Sequence, residues 1–481
     1  MRFCLFACLS LLLQAAYAQQ QLGLRLENYA GASSLTLNPA GNLTNPLKWD
    51  IRLAGAGLFF ENNYFFIQQT STLDLLRHAS GAEFKLAKNL EGQAAPDAYI
   101  IDFYNDHPKR YVAFNGYVDG PSVVVKIGEN HSAGIFTRLR SAVTTHGIIN
   151  EFSYYKYDGR PFFDPFQVPK FQAALMTWAE IGLNYALKIP NTNGYLGIGA
   201  NVRYLQGFEA AYVENNGTWE HTKMPGNTIS VAHPNGHFGY TSSALHGDGV
   251  TANGSGFGFD LGATQVFEDG SDFYKLRLGA SLLDIGYLRY SSNAADHRVT
   301  TTGTPTLALD DYEQFKNADQ FDDLVQLFSQ QTLGDSLASK VANEFTLTLP
   351  TAISLQADYA IADYFFANAT LVQRISLGGV TARRGNLFAL TPRFEHRWFS
   401  ASLPLSIYNW KDVRIGLAAR LGFLVIGTDN LGSFFNQARY TGTDFYIALK
   451  LNPFETNLSL LGGGRGKRHY GGRGKVKCYD F

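Results

Sequence analysis

Four histidines crowd one glycine-rich stretch of the chain: His221, His233, His237 and His246, with Glu220 and Asp248 close by. Imidazole and carboxylate groups hold zinc when one helix or tight loop presents them together. His233 and His237 have the spacing of a helical pair, but Pro234 and Gly236 stand between them. A helix cannot run through that proline. Solvated loop histidines are therefore expected, and no metal site. A second candidate, Gly462-Gly463-Gly464-Arg465-Gly466-Lys467-Arg468, imitates a phosphate loop. Leu461 occupies its first glycine position, and Arg468 stands where a Ser or Thr would hold magnesium, so the chemistry fails. No serine–histidine or aspartate–histidine spacing supplies a nucleophile with its base. No catalytic residue and no cofactor are expected, and the chain reads as a non-enzyme.

The elements that carry these residues are unusual for a soluble chain of 481 residues. Charged residues make up 17%, against roughly 25% in soluble domains. Aromatics reach 14%, with 36 Phe, 26 Tyr and 48 Gly. The formal net charge of −1 provides no field to recruit nucleic acid. Residues 1–18 read as a signal peptide. Arg2 is followed by the apolar run Phe3 to Leu13, and Ala16-Tyr17-Ala18 offers a cleavage site before Gln19. Cys4 and Cys8 leave with it. Cys478 is then alone and no internal disulfide can form. Beyond the signal, no apolar run approaches the roughly 18 residues of a spanning helix.

Period-two alternation is the main structural signal. Phe257, Phe259, Leu261 and Ala263 share one face, and Gly258, Asp260, Gly262 and Thr264 the other. Leu196, Ile198, Ala200, Val202 and Tyr204 alternate with Gly197, Gly199, Asn201 and Arg203. Tyr274 to Leu282 and Asp444 to Leu451 behave alike. Such runs can meet the roughly 9–11 residues that a tilted membrane strand requires. Further strands are expected near Trp49–Phe60, Tyr111–Val125, His131–Val143, Ala174–Leu187, Phe345–Tyr359, Tyr364–Ile375, Leu387–Trp398, Ser400–Tyr408 and Val413–Ile426, about thirteen in all. Long connections alternate with tight turns such as Gly128-Glu129-Asn130 and Pro190-Asn191-Thr192-Asn193-Gly194. Outer-membrane barrels put long loops outside and short turns in the periplasm. Their even strand number asks for a fourteenth strand. Two readings stand for Lys475–Phe481: the closing strand, or the end of a basic tail that includes Arg465, Lys467, Arg468 and Arg473.

One helix is expected between Asp310 and Phe345, where Phe321, Leu324, Val325 and Phe328 recur at helical spacing beside Asp319, Asp322 and Asp323. It is read as a cap over the barrel mouth or a partner surface.

The segment Asn28 to Gly41, with its small residues leading to Asn38-Pro39-Ala40, resembles the N-terminal signature of FadL-like barrels, which include fatty-acid and aromatic-hydrocarbon transporters. PorV-like barrels of Bacteroidota secretion systems are similar here. Leu278 to Gly286, Leu349-Pro350-Thr351, Leu424 to Gly432 and Gly474 to Phe481 resemble an uncharacterised FadL-like family from Bacteroidota. The resemblance implies fourteen strands and a hatch inside the lumen. Here the hatch, residues 19–46, is shorter than in the fatty-acid transporters, so their ligand pocket is not expected to carry over.

The expected architecture is therefore all-β: a signal peptide (1–18), a hatch or plug (19–46), a transmembrane antiparallel barrel (47–451) and a basic Gly-rich C-terminal segment (452–481). Asn38, Pro39 and Ala40 are expected to set hatch geometry, since Asn can bond its own backbone and Pro fixes φ. Gly427, Thr428, Asp429 and Asn430 are expected to form a periplasmic turn, with Asp429 or Asn430 bonding local N–H groups. Two functions are carried forward for this outer-membrane protein. It passes small apolar molecules, or it is a non-transporting barrel that docks a surface lipoprotein or a secretion or assembly machine. Outer-membrane lipid and lipopolysaccharide are expected neighbours. A small apolar ligand belongs to the first reading, and a protein partner at the loop helix or basic tail to the second.

Overall fold

The computed structural model describes residues 21–78, 83–87, 98–104, 109–268, 274–435 and 439–451. The signal segment, the phosphate-loop lookalike, Cys478 and Lys475–Phe481 lie outside them.

One antiparallel sheet of fourteen strands closes on itself. The strands are β1 (Trp49–Asn62), β2 (Val112–Asp119 and Ser122–Ile127), β3 (His131–His146), β4 (Phe171–Asn191), β5 (Gly194–Asn215), β6 (Gly254–Phe267) and β7 (Leu276–Tyr290). They continue with β8 (Phe345–Thr348 and Ala352–Ala362), β9 (Phe365–Arg374), β10 (Leu387–Glu395), β11 (Phe399–Ser402 and Leu405–Tyr408), β12 (Asp412–Ile415 and Leu417–Leu421), β13 (Leu424–Thr428) and β14 (Gly442–Leu451). β14 returns to β1, running from Ile51 opposite Leu451 to Glu61 opposite Gly442. That seam closes every edge, as a sheet in lipid must. Among the described residues no helix is long and apolar enough to cross a membrane.

The pleat sorts the side chains as the alternation demands. On β6, Phe257, Phe259 and Leu261 are exposed while Asp260 and Thr264 are buried. On β5, Val202 and Tyr204 face out and Asn201 and Arg203 face in. The barrel is thus apolar outside and polar within. Exposed Tyr185, Tyr359, Tyr364, Phe365 and Phe399 gather toward the short-turn end, and Tyr204, Phe257 and Tyr287 toward the other. These are the two aromatic girdles of a membrane barrel.

The fourteenth strand lies among the described residues. It comes from dividing the run Val413–Ile426, read above as one strand. Gly422, at φ +59°, turns the chain between β12 and β13, and Leu421 pairs with Leu424. A two-residue turn inside an apolar run leaves the alternation nearly unbroken, so periodicity hides it. The added strand moves the connection 429–441 to the end that carries the long loops. Gly427-Thr428-Asp429-Asn430 therefore does not lie with the short turns.

At the long-loop end the connections build a cap. Pro165–Val168, Trp219–Met224, Thr228–Ala232 and Thr306–Ala308 form a four-stranded sheet. The helix Phe321–Leu333 packs Phe321 against Tyr240 and Phe328 against Phe238, with Val325 buried. β4 and β5, at 21 and 22 residues, outrun the membrane and form the wall of this cap.

Candidate functional site: a plugged, charged lumen

Two segments enter the barrel. Residues 21–45 run through it in short helical turns, with Leu22, Leu24, Ala32, Leu35 and Leu37 buried against the wall. The connection 375–386 folds inward from the long-loop end, so that Val380 and Ala382 join a buried cluster with Trp178, Leu205, Tyr290 and Leu347.

The seat of the first segment is made of missing side chains. Cβ atoms added at Gly199 and Gly262 would lie 2.7 Å from the Pro39 carbonyl carbon and 2.3 Å from Asn38 Oδ1. Wall glycines on this face admit the backbone of the segment, where a barrel without a plug could fill the space with side chains. Asn38 Oδ1 accepts from the Ala40 N–H at 3.0 Å, an Asx turn, and Asn38 Nδ2 reaches Thr264 Oγ1 at 3.2 Å. Asn184 Nδ2 donates to the Pro39 carbonyl at 3.0 Å. Asn38, Pro39 and Ala40 are thus gathered at one wall contact.

Charged groups tie the segment elsewhere. Lys450 Nζ donates to the carbonyls of Tyr29 and Ala30 at 2.6 and 2.7 Å and pairs with Asp50 at 3.1 Å. Asp50 in turn accepts from the Ala32 N–H at 2.9 Å. Glu395 accepts from the Asn28 N–H at 3.0 Å, and Glu27 pairs with Arg420 at 2.9 Å. Asp429 receives the Leu22 N–H at 3.3 Å, while its own N–H goes to Asp444. It therefore serves the inner segment rather than a local turn. The local turn bond is made by Thr428 Oγ1, which accepts from the Asn430 N–H at 2.9 Å.

The centre of the lumen is an ion-pair cluster. Arg140 grips Asp284 with both terminal nitrogens, at 2.7 and 3.0 Å. Arg203 donates to Glu180, Asp260 and Asp284 at 3.0, 2.8 and 2.7 Å. Arg384, on the inward loop, also pairs with Asp284. Three guanidinium groups thus meet three carboxylates. Arg140 also lies 4.7 Å over the Trp178 ring. Asp284 reaches this position through a β-bulge. The register of β6 against β7 slips between Phe259 and Leu261, and Asp284 takes φ +54°. The Leu349-Pro350-Thr351 break in β8 lies opposite, with Thr351 Oγ1 donating to the Asp284 carbonyl at 2.6 Å. Two of the segments that carry the sequence resemblance therefore build one feature.

The cavity beside this cluster is about 40 Å³ and is lined by Arg25, Arg138, Arg140, Glu180 and Asp284. That is room for about three water molecules in a polar setting.

The histidines do not converge. His221 sits among Phe152, Tyr157 and Phe166, and burial lowers its pKa to about 4. His237 lies between Asp296 and Glu214, and His246 faces Asp322. No cluster suited to a metal occurs among the described residues. Arg203 and Asp260 were visible as charges on the lumen face of alternating strands. Arg140, Glu180, Asp284 and Arg384 were missed. A charge at a lumen position of a spanning strand would have flagged Glu180, whereas the bulge and the inward loop leave no local signal.

A sequence model described as "Family of unknown function (DUF5723)" matches residues 39–429, from the Pro39 seat to Asp429. The chain belongs to this family. No curated protein matches it. Among solved structures, this DUF5723 chain is similar to a TodX deletion mutant described as a monoaromatic hydrocarbon channel, at 12% identity and TM-score 0.38, covering 88% of this chain and 95% of that one. The Ralstonia pickettii toluene transporter TbuX follows at 8% identity and TM-score 0.28, covering 91% and 95%. A Pseudomonas aeruginosa FadL homologue follows at 10% and 0.23, covering 91% and 99%.

Proposed function

We propose that this DUF5723 protein is an outer-membrane barrel whose lumen is held shut by its own N-terminal segment, and that it works as a docking scaffold for a surface or secretion partner. The carrying observation is the lumen itself. Segment 21–45 is bonded into it by buried ions, and the cavity beside the central cluster is small and polar. An apolar solute would have to pass that charged cluster, and stripping charges from their partners costs several kcal/mol each. The cap supports the scaffold role. Phe162 and Phe163 are 52% and 64% exposed on it, a paired apolar feature of the kind that marks partner sites. The test pairs planar-bilayer conductance with crosslinking in native outer membranes. A silent wild type, a conducting variant lacking residues 19–46 and a stoichiometric crosslinked partner are expected. Steady conductance by the wild type, or recovery of the monomer alone, overturns the reading.

A second reading is lateral passage of small apolar molecules. It draws support from β13, which at five residues is too short to line the upper wall between β12 and β14. Uptake of a fluorescent fatty acid into proteoliposomes, lost when β13 is crosslinked to β14, would favour it.

A further inference from the structure

Above the ion-pair cluster, a cavity of about 270 Å³ opens at the long-loop end. One wall is the tops of β2 and β3, the other the tops of β9 to β11, and the inward loop 375–386 lies between them. Its lining includes Arg374, Arg383, Arg384, Lys411 and His146 and contains no Asp or Glu. Arg384 is committed below to Asp284. Among the described residues, Arg374, Arg383 and Lys411 have no carboxylate within ion-pair distance.

The backbone that carries these cations is fixed by the fold. Arg383 is half-buried. Its backbone N–H donates to Thr144 Oγ1 at 2.8 Å and its Nε to Gln172 Oε1 at 3.1 Å. Burial, and then Arg374 beside it, lower its pKa. The Arg374 N–H is fixed by Asn386 Oδ1 at 3.0 Å. Lys411 stands on a tight hairpin whose central residues, Asn409 and Trp410, take φ +47° and +62°. The turn closes with the Lys411 N–H donating to the Tyr408 carbonyl at 3.0 Å, and Tyr408 pairs with Asp412 across a three-residue connection. A Trp there is strained, since left-handed backbone brings its β-carbon close to the following carbonyl oxygen. Three like charges around a concave surface whose described lining holds no Asp or Glu repel one another, and their field is focused into the cavity.

We propose that this vestibule binds the phosphate group of a small solute, with Arg383 and Arg374 gripping its oxygens and Lys411 closing over it. Arginine matches phosphate with paired N–H donors, and lysine adds a point charge. The size suits a solute no larger than a phosphorylated monosaccharide. The same chemistry would serve a lipopolysaccharide phosphate, but the seat lies inside the mouth rather than on the lipid-facing rim, which favours a soluble source. The inference goes beyond the scaffold reading and does not depend on it, because the vestibule is accessible whether or not the lumen opens.

The test is calorimetric titration of the full folded barrel in detergent with glucose 6-phosphate, and with glucose as the uncharged control. Saturable binding of glucose 6-phosphate alone is expected, weakened about tenfold or more by Arg383→Gln. Arg374→Gln and Lys411→Gln remove exposed charges without touching the core, and each should weaken binding even if Arg383→Gln folds poorly. Absence of saturable binding, or binding unchanged in both of these variants, overturns the proposal. A parallel arm measures lipopolysaccharide retained by wild type and Lys411→Gln in nanodiscs. Retention lost in the variant, without sugar-phosphate binding, overturns the soluble source.

Discussion

Arg203 and Asp284 meet at 2.7 Å inside the barrel although 81 residues separate them in sequence. Arg203 arrives on a regular strand face and Asp284 through a bulge. Around the aspartate, Arg140 and Arg384 complete the set, so one carboxylate holds β3, β5 and the inward loop to β7. Replacing Asp284 with Asn keeps the shape and removes the charge. Leaving buried cations unmatched costs about 3–5 kcal/mol. Asp284→Asn should therefore lower stability by that order in denaturant titration of the detergent-folded barrel. A loss below about 1 kcal/mol, the scale of an exposed pair, would show the cluster to be well solvated.

A bulky residue at the glycine seat makes a different demand. Gly262→Val places atoms where Asn38 and Pro39 lie, so the segment must leave its seat while the outer wall of β6 is unchanged. The expected result is new protease cleavage within residues 21–45 with the barrel core intact. Resistance equal to wild type would mean that the wall yields instead of the segment.

Much of this architecture can be read from residue order, and the parts that cannot have physical reasons. Phe257 and Asp260 announce their faces because a strand repeats every two residues. Asp284 does not, because a bulge adds one residue and shifts the period. The turn at Gly422 hides between apolar neighbours that all face lipid. Arg384 lies in a connection, where no periodicity says that the loop turns inward. The plug motif around Asn38 could be located, but its glycine seat on β5 and β6 reads, from sequence alone, as ordinary weak strand positions.

Phe163 tests the cap as a docking surface. It is exposed with φ +63°, a conformation that costs a non-glycine residue about 1–2 kcal/mol. Phe163→Gly should relieve that cost, leaving thermal stability equal or slightly higher. If the aromatic pair contacts a partner, crosslinking yield in native membranes should fall at the same time. A destabilised variant with undiminished crosslinking would assign Phe163 to the packing of the cap alone.

The histidines of the cap give a pH dependence with two limbs. The hydrogen bond to Asp296, aided by Glu214, raises the pKa of His237 above 6.5. The folded state therefore favours its charged form. That contribution is complete below the unfolded value near 6.5 and fades as pH rises through the folded one. His221 runs the other way. Burial among Phe152, Tyr157 and Phe166 lowers it to about 4, so the folded state favours the neutral ring. Its contribution is complete above about 6.5 and is lost as pH falls toward 4. Hydrogen exchange of the cap amides should therefore be slowest near pH 6.5 once corrected for intrinsic rates. His237→Gln should flatten the alkaline limb, and His221→Phe should shrink the acid limb, to which His297, also lowered by burial, contributes. A single monotonic limb in the wild type would mean that one of the two rings titrates as it would in the unfolded chain.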